Sequence, residues 1–248
     1  MKRVSVVISV LNGASCIEHC LRSIIDSDYT MIEIIVIDGG STDGTLDIID
    51  KYMHQIYYFI SEVDRGIYDA WNKAISVSRG DWITFIGSDD QWRKPESLTS
   101  LMKIASYPNV NYVSGKAHLA DNKKQSIGQK FDYSSLMQGM KFMHVGSLHH
   151  KSLFKNYGGF DANYRIAGDY DFFVRNGKYI RSAFHPDEII LMGSFGISSM
   201  RYHKALLESF NSLKSSADFG LIKAIIFILI SYAALGRRKL MRDLFANG

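Results

Sequence analysis

The feature that most limits what this chain can fold into is a regular alternation of apolar runs and helical stripes over its first 115 residues. The predicted strands are 4–8, 32–37, 56–60 and 82–86. Several are continuously apolar, as expected for strands of a sheet that is covered on both faces. Helical stripes lie between them, one beginning at Ser15 and Glu18, which predict a capping box. Strand and helix repeated with short links predict an α/β fold with a mostly parallel central sheet flanked by helices.

The pattern loosens beyond residue 115. Residues 121–124 (Asp-Asn-Lys-Lys) predict a hairpin turn, and an irregular, glycine-rich and aromatic half continues to about residue 200. Two helical stretches, roughly 201–215 and 219–245, close the chain. The whole is expected to form one domain whose irregular half and C-terminal helices follow the sheet.

Composition narrows the class of protein. With 248 residues, 46% apolar content and only three prolines, the chain is expected to be globular. A net charge of +4 and the lack of a long basic run argue against a nucleic-acid partner. Cys16 and Cys20 fall on a helical stripe, which favours core packing over a disulfide or zinc site. The N-terminus shows no signal-peptide pattern, so a cytoplasmic location is expected.

Two adjacent carboxylates, Asp89 and Asp90, follow the strand at 82–86. Open α/β sheets bind ligands at the carboxyl ends of their strands. We expect exposed acids here, and a hard divalent ion that bridges to phosphate oxygens would offset their repulsion. A turn in which Ser88, Asp89 and Asp90 cap the next helix explains the same residues equally well.

Two further positions suit a nucleotide ligand. Asp38 ends the second strand before a glycine-rich loop and is placed to bind a base or ribose, although nearby amides would also satisfy a loop acid. Arg65 can pair with a diphosphate through its guanidinium fork, although surface exposure is the commoner fate of arginine. The turn 12–15 lacks the three glycines of a dinucleotide fingerprint, which argues against a nicotinamide enzyme.

A second acidic centre lies in the irregular half. Asp169 and Asp171 stand two residues apart near a predicted helix start, where carboxylates also serve as ordinary caps. One of them would serve as a general base across the cleft from Asp89 and Asp90.

Taken together, these segments resemble the family 2 glycosyltransferases of the GT-A fold. The resemblance is carried by 4–12, 36–45, 64–75, 88–90 and 144–171, in that order. The last segment is similar to the acceptor half of bacterial polysaccharide and O-antigen enzymes. The match covers about residues 3–200, and its specificity lies in the order of the motifs.

The resemblance implies a role for each site residue. Asp38 would contact the base, Arg65 the diphosphate and Asp89 the ribose. Asp90, in a DXD-type motif, would hold Mg²⁺ or Mn²⁺. The remaining donor contacts would be Ser9, Leu11, Asn12 and Ser88. In the family the base belongs to a Glu-Asp pair, and Gly168 replaces the glutamate here, which favours Asp169 as base and leaves Asp171 open.

The resemblance also implies substrates. Residues 1–115 would bind a nucleotide-sugar donor, 116–200 would bind a glycan or polyprenyl-diphosphate-linked acceptor, and 201–248 would form helices that associate with a membrane. The Gln-x-x-Arg-Trp signature of processive synthases is missing, so an inverting transfer of one sugar per acceptor is expected. Two other classes stay open, a nucleotidyltransferase acting on a sugar phosphate and a non-catalytic membrane-associated assembly module.

The C-terminal apolar run, 224–235, is shorter than the ~20 residues that a membrane-spanning helix needs. A basic cluster of Arg237, Arg238, Lys239 and Arg242 follows it. A buried core helix explains the apolar part alone. An interfacial helix explains both parts, which favours peripheral attachment to an anionic surface at the cytoplasmic face of the inner membrane.

Overall fold

The computed structural model describes residues 2–120, 125–193 and 201–246, with side chains described as far as residue 235. Its strands are β1 (Val4–Val10), β2 (Ile32–Asp38), β3 (Ile56–Ser61), β4 (Trp82–Gly87), β5 (Gln91–Trp92), β6 (Tyr112–Leu119), β7 (Ser126–Ile127), β8 (Leu148–His150) and β9 (Ser182–Met192). Its helices are α1 (Ile17–Ile25), α2 (Thr45–Asp50), α3 (Ile67–Val77), α4 (Ser97–Ala105), α5 (Lys151–Tyr157), α6 (Gly168–Asn176), α7 (Tyr202–Ser215) and α8 (Gly220–Ala246).

The strands form one mixed sheet in the order β3-β2-β1-β4-β8-β6-β9-β5, with β7 paired to β6. The first four in this order are mutually parallel, as the sequence predicts. Their register aligns the carboxyl ends, because Asp38 pairs with Val10 and with Ser61, and Ser9 pairs with Gly87. The loops that follow β1, β2, β3 and β4 therefore leave one edge of the sheet together.

The other half of the sheet mixes directions. Strand β8 is antiparallel to both β4 and β6, whereas β9 is parallel to β6 and antiparallel to β5. Strands β6 and β7 pair antiparallel through Ala117–Ile127 and His118–Ser126. The hairpin turn predicted at 121–124 lies outside the described residues.

Two apolar cores cover the two faces of the parallel strands. In β1, Val4, Val6 and Ile8 pack with helix α1 on one face. Val7 packs on the opposite face with Trp71 of α3. Burial on both faces explains why these strands are continuously apolar, and it confirms the flanking helices.

The predicted capping box at the start of α1 is wrong. The helix begins at Ile17 after Cys16, and the N–H groups of both residues donate to the carbonyl of Gly13. Glu18 instead pairs with Arg22 one turn later and accepts a bond from Tyr52 of the chain after α2. The tight turn at Gly13 satisfies the first amides, so no serine cap is needed.

The two C-terminal helices are confirmed, with bounds Tyr202–Ser215 and Gly220–Ala246. Leu206 and Leu213 of α7 share a core with Ala224 and Phe227 of α8. None of the helices in the described ranges is long and apolar enough to span a bilayer.

Candidate active site

Asp38 organises the loop that follows β2. Its side chain is fully buried, and its Oδ2 accepts hydrogen bonds from the N–H groups of Gly40 and Ser41 and from the hydroxyl of Ser61, at 2.6–3.0 Å. The Ser41 hydroxyl donates to the other oxygen at 2.5 Å. The loop acid is thus satisfied by its own turn and by the end of β3, and its contact with a base stays a prediction.

The end of β1 is tied to the same loop. The hydroxyl of Ser9 accepts a bond from the Trp71 indole at 3.1 Å. Asn12 adopts a positive φ of 53°, its N–H donates to Ser41, and its side-chain oxygen accepts from the Thr42 N–H. Between them the Leu11 side chain is 61% exposed. An apolar side chain open to solvent at a polar edge is suited to contact the flat face of a base.

Asp89 and Asp90 differ in their surroundings. Asp90 is only 4% exposed, and its two oxygens accept hydrogen bonds from the N–H groups of Gly87 at 3.0 Å and Gly193 at 2.9 Å. The expectation that Asp90 is an exposed acid is therefore wrong, because its carboxylate turns inward and closes the loop onto the end of β9. Asp89 is half-buried beside Gly193.

The electrostatics of this pair fit a cation. Burial, with the adjacent charge of Asp89, raises the pKa of Asp90 to about 7. A divalent cation would offset that cost, and Mg²⁺ needs only one or two carboxylates when phosphates complete its shell. No group of three or more His, Cys, Asp or Glu residues able to hold a metal lies within the described ranges. Donor phosphates would have to supply the remaining ligands.

Arg65 lies just before α3, with its side chain 76% exposed. Its guanidinium pairs with Asp69 one turn into the helix at 3.1 Å. Asp69 also lies 3.6 Å from Lys73, so it has a second cationic partner. Arg65 can therefore swing towards a diphosphate without leaving Asp69 unpaired.

Asp169 lies in the first turn of α6, half-buried and tied to α3. The Tyr68 hydroxyl donates to Asp169 at 3.2 Å and to the carbonyl of Ile166 at 2.7 Å, and the Tyr170 N–H donates to Asp169 at 2.8 Å. Desolvation raises the pKa of Asp169 to about 6, with smaller opposing effects from these hydrogen bonds. A carboxyl group with this pKa is ionised near neutral pH and basic enough to take a proton.

Asp171 has the opposite character. It is 4% exposed, pairs with Arg175 at 2.6 Å and accepts a bond from Ser212 of α7 at 2.8 Å. A buried carboxylate held by a cation and a hydroxyl serves packing, so the geometry favours Asp169 over Asp171 as the base.

Sequence reasoning missed two residues that contact this centre. Tyr68 reaches the Asp169 loop from 101 residues earlier, and Glu208 accepts backbone hydrogen bonds from residues 165–167. Tyr68 also explains Gly168, because a Cβ there would meet the tyrosine ring at 2.7 Å. The ring occupies space that a glutamate would need.

Comparison with known families gives a match over residues 5–161 to the model described as "Glycosyl transferase family 2". Among curated proteins, a "PGL/p-HBAD biosynthesis glycosyltransferase" of Mycobacterium bovis (strain BCG / Pasteur 1173P2) is 29% identical over 175 residues. The alignment covers 69% of this chain and 68% of that protein.

Solved structures with the same fold include glycosyltransferases. TarS 1-349 of S. aureus, in complex with UDP-GlcNAc, matches with a TM-score of 0.71 at 17% identity over 91% of this chain and 70% of that one. The mannosyltransferase PcManGT of Pyrobaculum calidifontis, in complex with GDP-Man and Mn²⁺, matches with a TM-score of 0.69 at 20% identity over 99% and 80%. These likenesses confirm the predicted GT-A fold.

Proposed function

This chain belongs to glycosyl transferase family 2, and we propose that it transfers one sugar from a nucleotide-sugar donor to a hydroxyl of a glycan acceptor, with inversion at the anomeric carbon. The observation that carries the proposal is that the candidate donor-binding residues lie along the same edge of the sheet. Aligned strand ends bring the Asp38 loop and the Asp89–Asp90 turn together, and Tyr68 connects α3 of that half to Asp169.

Residues 1–115 bind the donor. Asp38 and Leu11 lie at the base, Asp89 at the ribose and Arg65 at the diphosphate, with Ser9, Asn12 and Ser88 completing the pocket. The complexes of TarS with UDP-GlcNAc and of PcManGT with GDP-Man support a nucleotide-sugar donor, because this chain shares their fold.

Asp90 holds Mg²⁺ or Mn²⁺ together with the donor diphosphate. Support comes from the raised pKa of Asp90 and from the Mn²⁺ in the PcManGT complex. The bound ion would supply positive charge against the nucleoside diphosphate as it leaves. The Arg65 guanidinium adds to that charge from the start of α3.

Residues 116–200 bind the acceptor, and Asp169 is the base. Asp169 takes the proton of the acceptor hydroxyl, whose oxygen attacks the anomeric carbon from the face opposite the diphosphate. The bond from the anomeric carbon to the diphosphate oxygen breaks, and the nucleoside diphosphate leaves with the electron pair. A single displacement of this kind inverts the anomeric carbon and needs no covalent enzyme intermediate.

The acceptor is lipid-linked, and the enzyme works at an anionic membrane surface on the cytoplasmic face in polysaccharide synthesis of the O-antigen type. Support comes from helix α8, which exposes an apolar stripe to solvent. Its members are Leu221, Ile222, Ile225, Ile226, Leu229 and Ile230, each 43–76% exposed. The basic residues Arg237, Arg238, Lys239 and Arg242 follow on the same helix, outside the residues whose side chains are described.

Donor turnover tests the proposal. Nucleotide sugars are first screened by thermal shift with and without Mn²⁺, since a ligand of the native state raises its stability. Transfer of the best donor's sugar to polyprenyl-diphosphate-linked glycans is then measured. Asp169→Asn should lower kcat on the order of 10²–10⁴-fold with donor binding nearly unchanged.

The matched control is Asp171→Asn, which removes the neighbouring carboxylate and should cost stability more than turnover. If Asp171→Asn shows the kcat loss and Asp169→Asn does not, the two roles must be exchanged. Formation of a nucleotide sugar from a nucleoside triphosphate and a sugar phosphate, with release of inorganic diphosphate, would instead support a nucleotidyltransferase, the runner-up class, which the family membership disfavours.

A further inference from the structure

We propose that Glu208 of α7 is a positioning residue for the transfer. Its carboxylate holds the backbone of Arg165, Ile166 and Ala167 and thereby fixes the start of α6, where Asp169 lies. The inference rests on the proposed function only in taking Asp169 as the base.

The contacts of Glu208 form a cradle for three consecutive amides. Its Oε2 accepts from the N–H groups of Ile166 at 2.8 Å, Ala167 at 2.9 Å and Arg165 at 3.2 Å, and its Oε1 lies 3.2 Å from the last of these. The three donors are 41–43 residues away in sequence. One side chain of α7 thus restrains the three residues, 165–167, that lead into α6.

The three amides that Glu208 accepts from lie just before the first turn of α6, in which Asp169 itself accepts from the Tyr170 N–H. The residue before the helix is Ala167, which carries no polar side-chain atom. Amides outside a helix still require an acceptor, and the positive end of the adjacent helix dipole favours a negative one. Glu208 meets both needs from a neighbouring helix.

The same segment is held from the opposite side by the donor half. Glu208 accepts from the N–H group of Ile166. The Tyr68 hydroxyl donates to the carbonyl of the same Ile166 at 2.7 Å and also to Asp169. Arg165 extends over the start of α3, where its guanidinium would lie 3.0 Å from a Cβ placed on Gly66. The segment before Asp169 is therefore clamped between α7 and α3.

Other contacts of α7 do not duplicate this restraint. Ser212 donates to Asp171 one turn further along α6, so it braces the body of that helix and not the segment before it. The neighbouring Leu207 is 59% exposed and supplies a control on the same helix.

The test combines amide hydrogen exchange with steady-state kinetics on the full chain. Glu208→Ala should speed exchange at residues 165–167 at least about tenfold over the wild type, because the acceptor is gone. Its kcat should fall on the order of 10- to 100-fold, since small misplacements of a catalytic group are costly, while the donor KM stays within about threefold. Leu207→Ala should change neither quantity.

Glu208→Gln separates position from charge. A correctly turned amide keeps an acceptor on these N–H groups, so exchange at 165–167 and most of kcat should survive. The negative charge of Glu208 contributes to the raised pKa of Asp169, and removing it should move the acid limb of kcat/KM to lower pH. A purely structural role would leave that limb in place.

Wild-type exchange at 165–167, or wild-type kcat, in folded Glu208→Ala would overturn the proposal. Should Glu208→Ala not fold, an unshifted acid limb in Glu208→Gln overturns it instead. The exchange measurement needs no substrate, so it is independent of the proposed transfer. Full turnover by Asp169→Asn would show that Asp169 is not the base. The exchange result at residues 165–167 would not be affected.

Discussion

At the scale of single residues, two carboxylates two positions apart have opposite surroundings. Asp171 pairs with Arg175 and accepts a hydrogen bond from Ser212 in a buried contact. Asp169 forms no ion pair within the described residues and instead receives hydrogen bonds from a tyrosine hydroxyl and a backbone amide. Burial without a cation raises a carboxyl pKa, and this is the case at Asp169. Their sequence context alone does not separate these two cases.

The pH profile should report Asp169. The titratable groups that act on it are Tyr68 of α3 and Glu208 of α7, and Tyr112 of β6 lies within electrostatic range of it. Because a base must be ionised, kcat/KM should fall as the pH drops through about 6. The Tyr68 hydroxyl stabilises the carboxylate, so Tyr68→Phe should raise the pKa and move the acid limb to higher pH.

The control is Tyr52→Phe, because the hydroxyl of Tyr52 bonds Glu18 on another part of the surface. Its pH profile should match the wild type. An acid limb that stays fixed or moves downward in Tyr68→Phe would count against Asp169 as the titrating group.

Asp90 should prove structural as well as metal-binding. Asp90→Ala leaves the N–H groups of Gly87 and Gly193 without their acceptor, at a cost of roughly 1–3 kcal/mol for each group left unpaired. Asp90→Asn keeps one acceptor and should lose less stability. Both should lose the additional thermal shift that Mn²⁺ gives with the donor. Denaturant unfolding and thermal shift measure the two effects.

Asp89→Ala is the matched control for stability, because Asp89 is half-buried and should cost little unfolding free energy. A full Mn²⁺-dependent shift in folded Asp90→Asn would show that another residue holds the ion.

At the scale of elements, the sequence predicts best those strands whose burial is visible in their own apolar residues. Strands β1, β2 and β4 are buried on both faces, so their apolar runs stand out in the sequence, and their predicted bounds fall within two residues of those observed. The start of α1 was mispredicted because Gly13 supplies the acceptor from its backbone, which a side-chain pattern does not record.

The contacts that complete the site come from elements far apart in the chain. Glu208 of α7 accepts from the amides just before α6, and Tyr68 of α3 fills the space beside Gly168. A single glutamate on an amphipathic helix is normally solvated. The residues next to Glu208 in the sequence therefore do not indicate that it contacts another helix. The sequence places Asp169 near a helix start, but the residues that hold it there follow from tertiary packing.

At the scale of the whole molecule, the two C-terminal helices connect the exposed apolar stripe of α8 to the segment before Asp169. Helix α8 packs on α7 through Ala224 and Phe227. Helix α7 in turn holds the backbone of residues 165–167, just before Asp169, through Glu208. The alternative that α8 is a buried core helix is correct for Ala224 and Phe227 but wrong for the six residues of the exposed apolar stripe, which face solvent. A lipid surface against that stripe would thus contact α8, which packs on the helix that holds the segment before Asp169.

The last prediction concerns that surface. With anionic liposomes at low salt the protein should co-sediment, and Ile222→Ser with Leu229→Ser should release it, because both side chains are exposed on the stripe, at 76% and 64%. Changing Arg237, Arg238 and Lys239 to Glu should weaken binding on the order of 100-fold or more, since each basic residue near such a surface contributes about 1 kcal/mol. Leu207→Ser, an equally exposed leucine on α7, should bind like the wild type. If liposome binding occurs but neither set of changes weakens it, a different part of the chain makes the contact. If the chain stays in the supernatant at low salt, the exposed stripe does not bind an anionic surface, and the acceptor would have to reach Asp169 without a membrane to present it.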